Sequence, residues 1–171
     1  METAIVSLIC IGLIVFGGMT MSQGFLTSVD TTTVGMEVAS SQNEHIMRTE
    51  LSVVTASVDK DGNLSVTLLN SGQTKLSDFS KWDVIVQYYA EDGDYVEWLP
   101  YDEVDPGENV WTVGGIYVEG TPEGFEPDIL NSGEEMMLQA VLNPVSVNGT
   151  AVQVVVSTPN GITASTSFIS E

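Results

Sequence analysis

Two patterns of apolar residues divide the chain. From Ala4 to Met21 the run AIVSLICIGLIVFGGMTM contains no charged side chain. Eighteen residues at ~1.5 Å rise give ~27 Å as a helix, enough to cross a hydrocarbon layer. β-Branched residues do not prevent a helix in an apolar setting. Gly12, Gly17 and Gly18 each cost ~1 kcal/mol against alanine in a free-standing soluble helix. They make sense where another helix backbone comes close. The run therefore reads as membrane-inserted at one stage and packed against other helices at another. No proline interrupts the stretch from Phe25 to Arg48. There Phe25, Leu26, Val29, Val34, Met36, Val38, Ile46 and Met47 are spread through Ser, Thr, Gln and Asn. One helix from Glu2 to about Arg48 would be ~70 Å long, weakened at Thr31, Thr32, Thr33 and Gly35.

After Leu51 the period becomes two. Val54, Ala56 and Val58 share one expected face, and Leu64, Val66 and Leu68 follow a turn at Asp61-Gly62, a hairpin signal. Asn70-Ser71-Gly72 closes that second strand. Further strands are read from Trp82 (WDVIVQYYA, then the turn EDGD), Tyr95 (YVEWLPY), Asn109 (NVWTVGGIYV, after a Pro106-Gly107 turn) and Glu134 (EEMMLQAVLN, alternating through Met136, Leu138 and Ala140). A last hairpin turns at Pro159-Asn160-Gly161. Seven to nine short strands at regular spacing predict a sandwich. The fold class is α+β: a long N-terminal hydrophobic α-helix, 1–49, followed by an immunoglobulin-like antiparallel β-sandwich, 50–171. No Gly/Pro linker separates them, which suits a stiff joint.

Charge narrows the function. The chain carries 24 Asp plus Glu against 4 Lys plus Arg, a formal charge of -20. A nucleic-acid binder needs the opposite sign. Such a surface suits water, salt and self-repulsion of free monomers. Cys10 is the one cysteine, so a disulfide framework and a cysteine metal cluster are excluded. His45 is the one histidine and falls on the predicted helix, so a histidine metal centre is excluded too. No catalytic constellation, metal site or cofactor motif is read. A secretory signal opens on a basic n-region, whereas Met1-Glu2-Thr3 is acidic and the first basic residue is Arg48. The run is expected to be no signal peptide, or the mature start left when a basic leader is removed; the second is preferred.

Three stretches carry a family resemblance. AIVSLICIGLIVFGGMTM resembles the hydrophobic polymerisation helix of archaeal flagellins (archaellins), members of the type IV pilin-like superfamily. VTLLNSGQTKLSDFSKWDVIVQY resembles the strand, Asn-x-Gly turn and strand of their outer domain. VVSTPNGITASTSF resembles their C-terminal hairpin. The start Met1-Glu2-Thr3 and the small outer domain depart from the usual archaellin. The resemblance implies a membrane-inserted precursor, a prepilin-type peptidase and an export and assembly ATPase machinery. It implies a homo-polymer of many identical subunits as an extracellular filament on the cell surface. The polymerisation core would be Glu2, Ile5, Val6, Leu8, Ile9, Ile11, Gly12, Leu13, Ile14, Val15, Phe16, Gly17, Gly18 and Met19. Glu2 is either a helix-start carboxylate favoured by the dipole or a partner for a neighbour's α-amino group. The archaellum's stator proteins share the plan, so the alternative is a membrane-anchored extracytoplasmic binding or stator module with one sandwich.

Smaller signals remain. Asn63-Leu64-Ser65 and Asn148-Gly149-Thr150 are N-glycosylation sequons at predicted turns. DKDGN from Asp59 lacks the bidentate glutamate of a calcium loop and reads as a hairpin. EDGDY and YDEVD read as solvated acidic loops. Gly114-Gly115 reads as a strand bulge. Trp82, Trp98 and Trp111 read as core or inter-subunit contacts.

Overall fold

Helical hydrogen bonding runs unbroken from Glu2 to Arg48, α1, in a computed structural model of the chain. The structure describes residues 2–104 and 107–171, and of Glu2, Ala4, Asp30, Thr31 and His45 only the backbone. Asp105 and Pro106, and with them the turn read at Pro106-Gly107, lie outside the described residues. The chain divides into two compact units, Met1–Glu44 and His45–Glu171. Helical bonding persists through the threonines and Gly35, although their propensities are poor.

Among its described residues the second unit holds nine strands: β1 Leu51–Val58, β2 Asn63–Asn70, β3 Asp83–Ala90, β4 Gly93–Leu99, β5 Trp111–Val118, β6 Thr121–Pro122, β7 Glu135–Val141, β8 Ala151–Ser157 and β9 Thr163–Ile169. They form a five-stranded sheet ordered β1-β2-β7-β5-β6 and a four-stranded sheet ordered β4-β3-β8-β9. Neighbouring strands are antiparallel. Period-two alternation sends one side chain in two to the core. Leu64, Val66 and Leu68 of β2 bury there with Met136, Leu138 and Ala140 of β7. From the other sheet come Val84, Val86, Tyr88 and Ala90 of β3 and Val152, Val154 and Val156 of β8. Trp82 and Trp111 are buried among them, and Phe79 meets Trp82 edge-on at 5.3 Å between ring centroids.

The structure corrects some strand details. Val54 is 48% exposed, not on the inner face with Ala56 and Val58. A β-bulge between Val53 and Thr55 resets the alternation, so Leu51 and Val53 precede the bulge on the inner side. β4 starts at Gly93 rather than Tyr95, because Glu91-Asp92 alone make the turn that closes on the pair Ala90–Gly93. Asn109 is not in β5. Its φ of 56° places it in a turn, and its side chain exchanges bonds with the Asn143 backbone at 2.6 and 2.8 Å. The Gly114-Gly115 bulge is present, as a register shift between Val113 and Gly115. Trp98 is 58% exposed and donates its indole N–H to Asp83 Oδ1 at 3.0 Å, so it is no core residue.

Within the second unit, the end of α1 is tied to the Asn70-Ser71-Gly72 turn. The Arg48 carbonyl accepts the N–H groups of Gln73 at 2.7 Å and Thr74 at 3.3 Å. Those bonds satisfy a helix-end carbonyl that has no intrahelical partner. Gly72 donates to the Glu50 carbonyl at 3.1 Å. The Asn70 side chain is fully buried. It donates to the carbonyls of Thr74 at 2.8 Å and Leu130 at 3.0 Å and accepts from Gly72 at 3.2 Å. Asn160 donates to the Thr49 hydroxyl at 3.0 Å, adding the C-terminal hairpin to the joint. A Cβ on Gly72 would stand 2.4 Å from the Glu50 nitrogen and 2.6 Å from the Arg48 oxygen, both backbone atoms.

Two outcomes follow from this packing. Gly72→Ala should lose ~1–3 kcal/mol by forcing those backbones apart, whereas exposed Ser71→Ala should stay near neutral; denaturant unfolding measures both. Burial pushes the Tyr88 hydroxyl up to about 12, helped by the charges of Glu97, Tyr95 and Asp92. Its folded value lies above the unfolded one near ~10. The stabilisation is therefore complete below pH ~10 and is lost as pH rises toward 12. Phenolate absorbance should show a late-ionising component, to which Tyr95 and Tyr101 contribute with raised values of their own, and Tyr88→Phe should diminish it near pH 12.

Candidate functional site

The residues singled out for polymerisation all lie on α1, and their described side chains have no core around them. Ile5, Val6, Leu8, Ile9, Ile11, Leu13, Ile14, Val15, Phe16 and Met19 are each more than half exposed. At 3.6 residues per turn these positions fall on every side of the cylinder, not on one stripe. Every described side chain from Thr3 to Glu44 is exposed. Open space surrounds Gly12, Gly17 and Gly18: a Cβ there would meet nothing within 4 Å. Cys10 is exposed in the same run. The side chain of Glu2, the remaining candidate, lies outside the described residues, as does that of His45.

A soluble helix of this length normally buries an apolar stripe and wets the rest. Apolar side chains all round demand an apolar surrounding on all sides. Among the described residues one helix is long and apolar enough to cross a membrane, and none of its apolar window is buried. Its backbone polar groups are bonded internally, as hydrocarbon requires.

The half beyond Met21 looks polar but conceals much of its polarity. Thr27 donates to the Gln23 carbonyl at 3.0 Å, as Thr20, just before Met21, does to Gly17 at 3.0 Å. Thr32 donates to Ser28 at 2.8 Å and Thr33 to Val29 at 2.9 Å. Each hydroxyl folds back on the preceding turn, so its donor needs no partner outside the helix. The sequence pattern did not reveal this: Thr32 and Thr33 read only as helix-weakening, and it gives Thr20 and Thr27 no role.

Acidic groups crowd the second unit. Lys75 pairs with Glu126 at 3.1 Å and Lys81 with Asp78 at 2.7 Å, all solvent-exposed. Such surface pairs contribute ~0–1 kcal/mol. The Lys75 hydrogen bond, with Asn131 beside it, holds the Glu126 carboxyl below its usual range.

The two sequons differ. Asn63 is exposed at the start of β2, but its side-chain amide donates to Asp59 Oδ2 at 2.8 Å. That bond, with the Asn63 backbone N–H on Oδ1 at 2.9 Å, holds the Asp59 carboxyl below its usual range. The DKDGN stretch is thus a hairpin stitched by Asp59, with Gly62 at φ 84°. Asn148 is exposed in a turn beside Gly149, and the Thr150 hydroxyl bonds the Val147 carbonyl at 2.6 Å.

No family model and no curated protein matches the chain. Solved structures do. The archaellum periplasmic stator protein FlaG from Sulfolobus acidocaldarius aligns with TM-score 0.54 at 19% identity, over 70% of this chain and 99% of that one. Archaeal flagellin FlaB1 from Methanocaldococcus jannaschii aligns with TM-score 0.54 at 13% identity, over 71% and 90%. The archaeal flagellum of Methanospirillum hungatei strain JF1 aligns with TM-score 0.58 at 11% identity, over 95% and 91%. The fold is archaellin-like: one long apolar N-terminal helix, then two antiparallel sheets.

Proposed function

We propose that this chain is a structural subunit that polymerises through α1 into an archaellum-like extracellular filament for motility, with adhesion as a further use. One observation carries the reading. α1 is apolar on every side, lacks any burial of its own, and belongs to a chain whose likeness to a flagellum structure extends over 95% of its length.

The mechanism starts in the membrane, with the helix as a single span. It is then drawn out and packed among copies of itself. Burying an apolar side chain is worth ~1.5–3 kcal/mol relative to water, so the ten named side chains contribute a gross ~15–30 kcal/mol per subunit. Hydrocarbon offers nearly the same, so extraction needs an energy-consuming assembly machine. Close approach of backbones at Gly12, Gly17 and Gly18 adds packing that lipid cannot match. Heterologous contacts that do not close then give a filament rather than a ring. The domain division 1–49 and 50–171 assigns the rod to this core and the acidic sandwich to its outside. Glu2 sits at the core's end, as a helix-start carboxylate or a partner for a neighbouring amino group.

The second reading is a membrane-anchored stator module. It is favoured by the likeness to FlaG, which takes in 99% of that protein's chain. In that case α1 stays in lipid and the sandwich works alone or with one partner.

Full-length protein brought out of detergent should form rods visible by electron microscopy, and Ile14→Asp should abolish them. Repulsion between chains of formal charge -20 is screened over ~10 Å at 0.1 M salt, so rods should persist better as ionic strength rises. Discrete particles that keep α1 in detergent would overturn the filament. We also propose glycosylation at the sequons, favouring Asn148 over Asn63, whose amide is already engaged by Asp59. Mass spectrometry of native material should find the adduct on the Asn148 peptide, and its absence in Asn148→Gln.

A further inference from the structure

Each sheet ends in edge strands, and they are not alike. β1 carries the bulge at Val53–Thr55 and lies against β9, while β6 has only two residues. β4 is seven residues long, pairs in unbroken register with β3, and has no bulge, proline or lysine. Those devices blunt a free edge, and β4 keeps only another of their kind, the inward-facing charge of Glu97 opposite Val86. Ala90–Gly93 closes the hairpin, so by alternation Gly93, Tyr95, Glu97 and Leu99 exchange bonds with β3. Asp94, Val96 and Trp98 therefore direct N–H and C=O away from it. Among the described residues no other backbone group bonds to them. Their side chains share the outer face, where Val96 is 66% and Trp98 58% exposed next to Ile85.

We infer that β4 pairs edge to edge with β4 of a second copy of this chain, antiparallel and centred on Val96. That register sets Val96 opposite Val96, Asp94 opposite Trp98 and Tyr95 opposite Glu97. No like charges face each other, and the edge-directed backbone groups of Asp94, Val96 and Trp98 all find partners. Neighbouring registers are worse. Sliding one way opposes Glu97 to Glu97, which is destabilising. Sliding the other way leaves Trp98 beyond the partner strand. The product is one eight-stranded sheet with Trp98, Val96 and Ile85 of both copies on one outer face. The contact is isologous, whereas successive subunits of one polar filament meet heterologously. It is therefore an association separate from polymerisation.

Cysteine cross-linking of the full-length chain in detergent, with Cys10→Ala as background, tests it. Hydrogen-bonded antiparallel partners have Cα atoms ~5.5 Å apart, within disulfide range. Val96→Cys should give covalent dimers on mild oxidation at least tenfold faster than Ser165→Cys, an exposed position on β9. A mixture of Tyr95→Cys and Glu97→Cys chains should cross-link, and Glu97→Cys alone should not. Val96→Pro should abolish the mixed cross-link with the sandwich intact by circular dichroism, because that N–H points away from β3. Val96 cross-linking no faster than Ser165, self-linking at Glu97, or a mixed cross-link that survives proline overturns the proposal. Rods are read separately by electron microscopy. Their loss with Val96 cross-links retained counts against polymerisation, and the reverse counts against this contact.

Discussion

Water is the wrong solvent for the opening of this chain, from Ala4 to Met21. Ile5, Val6, Leu8 and Ile14 stand on different sides of α1 and are all exposed. No rotation of the rod hides them together. An amphipathic helix is satisfied by one neighbour, but a helix apolar all round is satisfied only when surrounded. Lipid and a sheath of like helices are the two surroundings that do this at the scale of an 18-residue run. Membrane precursor, polymer core and stator anchor are all answers to that one demand.

The sandwich faces the opposite demand. Its core of Leu, Val, Met and buried tryptophan is closed within the second unit. Its acidic exterior belongs in water, and salt screens it where two copies approach. Soluble and insoluble parts must be joined where backbone groups would otherwise be stranded, at the end of a helix. Asn70 and Gly72 resolve this locally: a buried amide replaces missing backbone partners, and a missing Cβ lets two backbones meet. The Asn-x-Gly turn is therefore a fastening for Arg48 and Glu50 as much as a reversal between strands.

How much of this was legible in the sequence depends on the length scale of the cause. The uncharged run from Ala4 and the alternation of Leu64, Val66 and Leu68 are periodic over many residues, and the helix span and sheet core follow from them. Val54 defeated the same logic because one inserted residue flips every side chain after it, and nothing in SVVT marks the bulge. Asn109 read as strand because apolar residues follow it; its role is set by Asn143, distant in sequence. Glycine pairs gave themselves away at Gly114-Gly115, where a β-carbon would collide with the Gln139 side chain. Exposure of the thirteen described core candidates was implied by composition. The difference between Asn63 and Asn148 was not, since it rests on one hydrogen bond from Asp59.

The threonine hydroxyls of α1 have a broader consequence. On the filament reading the rod passes from oil to a crowded protein interior, and its stretch beyond Met21 is too polar to suit oil alone. By turning inward on Gln23, Ser28 and Val29, the hydroxyls of Thr27, Thr32 and Thr33 make that stretch indifferent to its medium. It neither craves a wet neighbour nor punishes a dry one. A shaft built this way can be handed from one environment to another without rewriting its internal bonding.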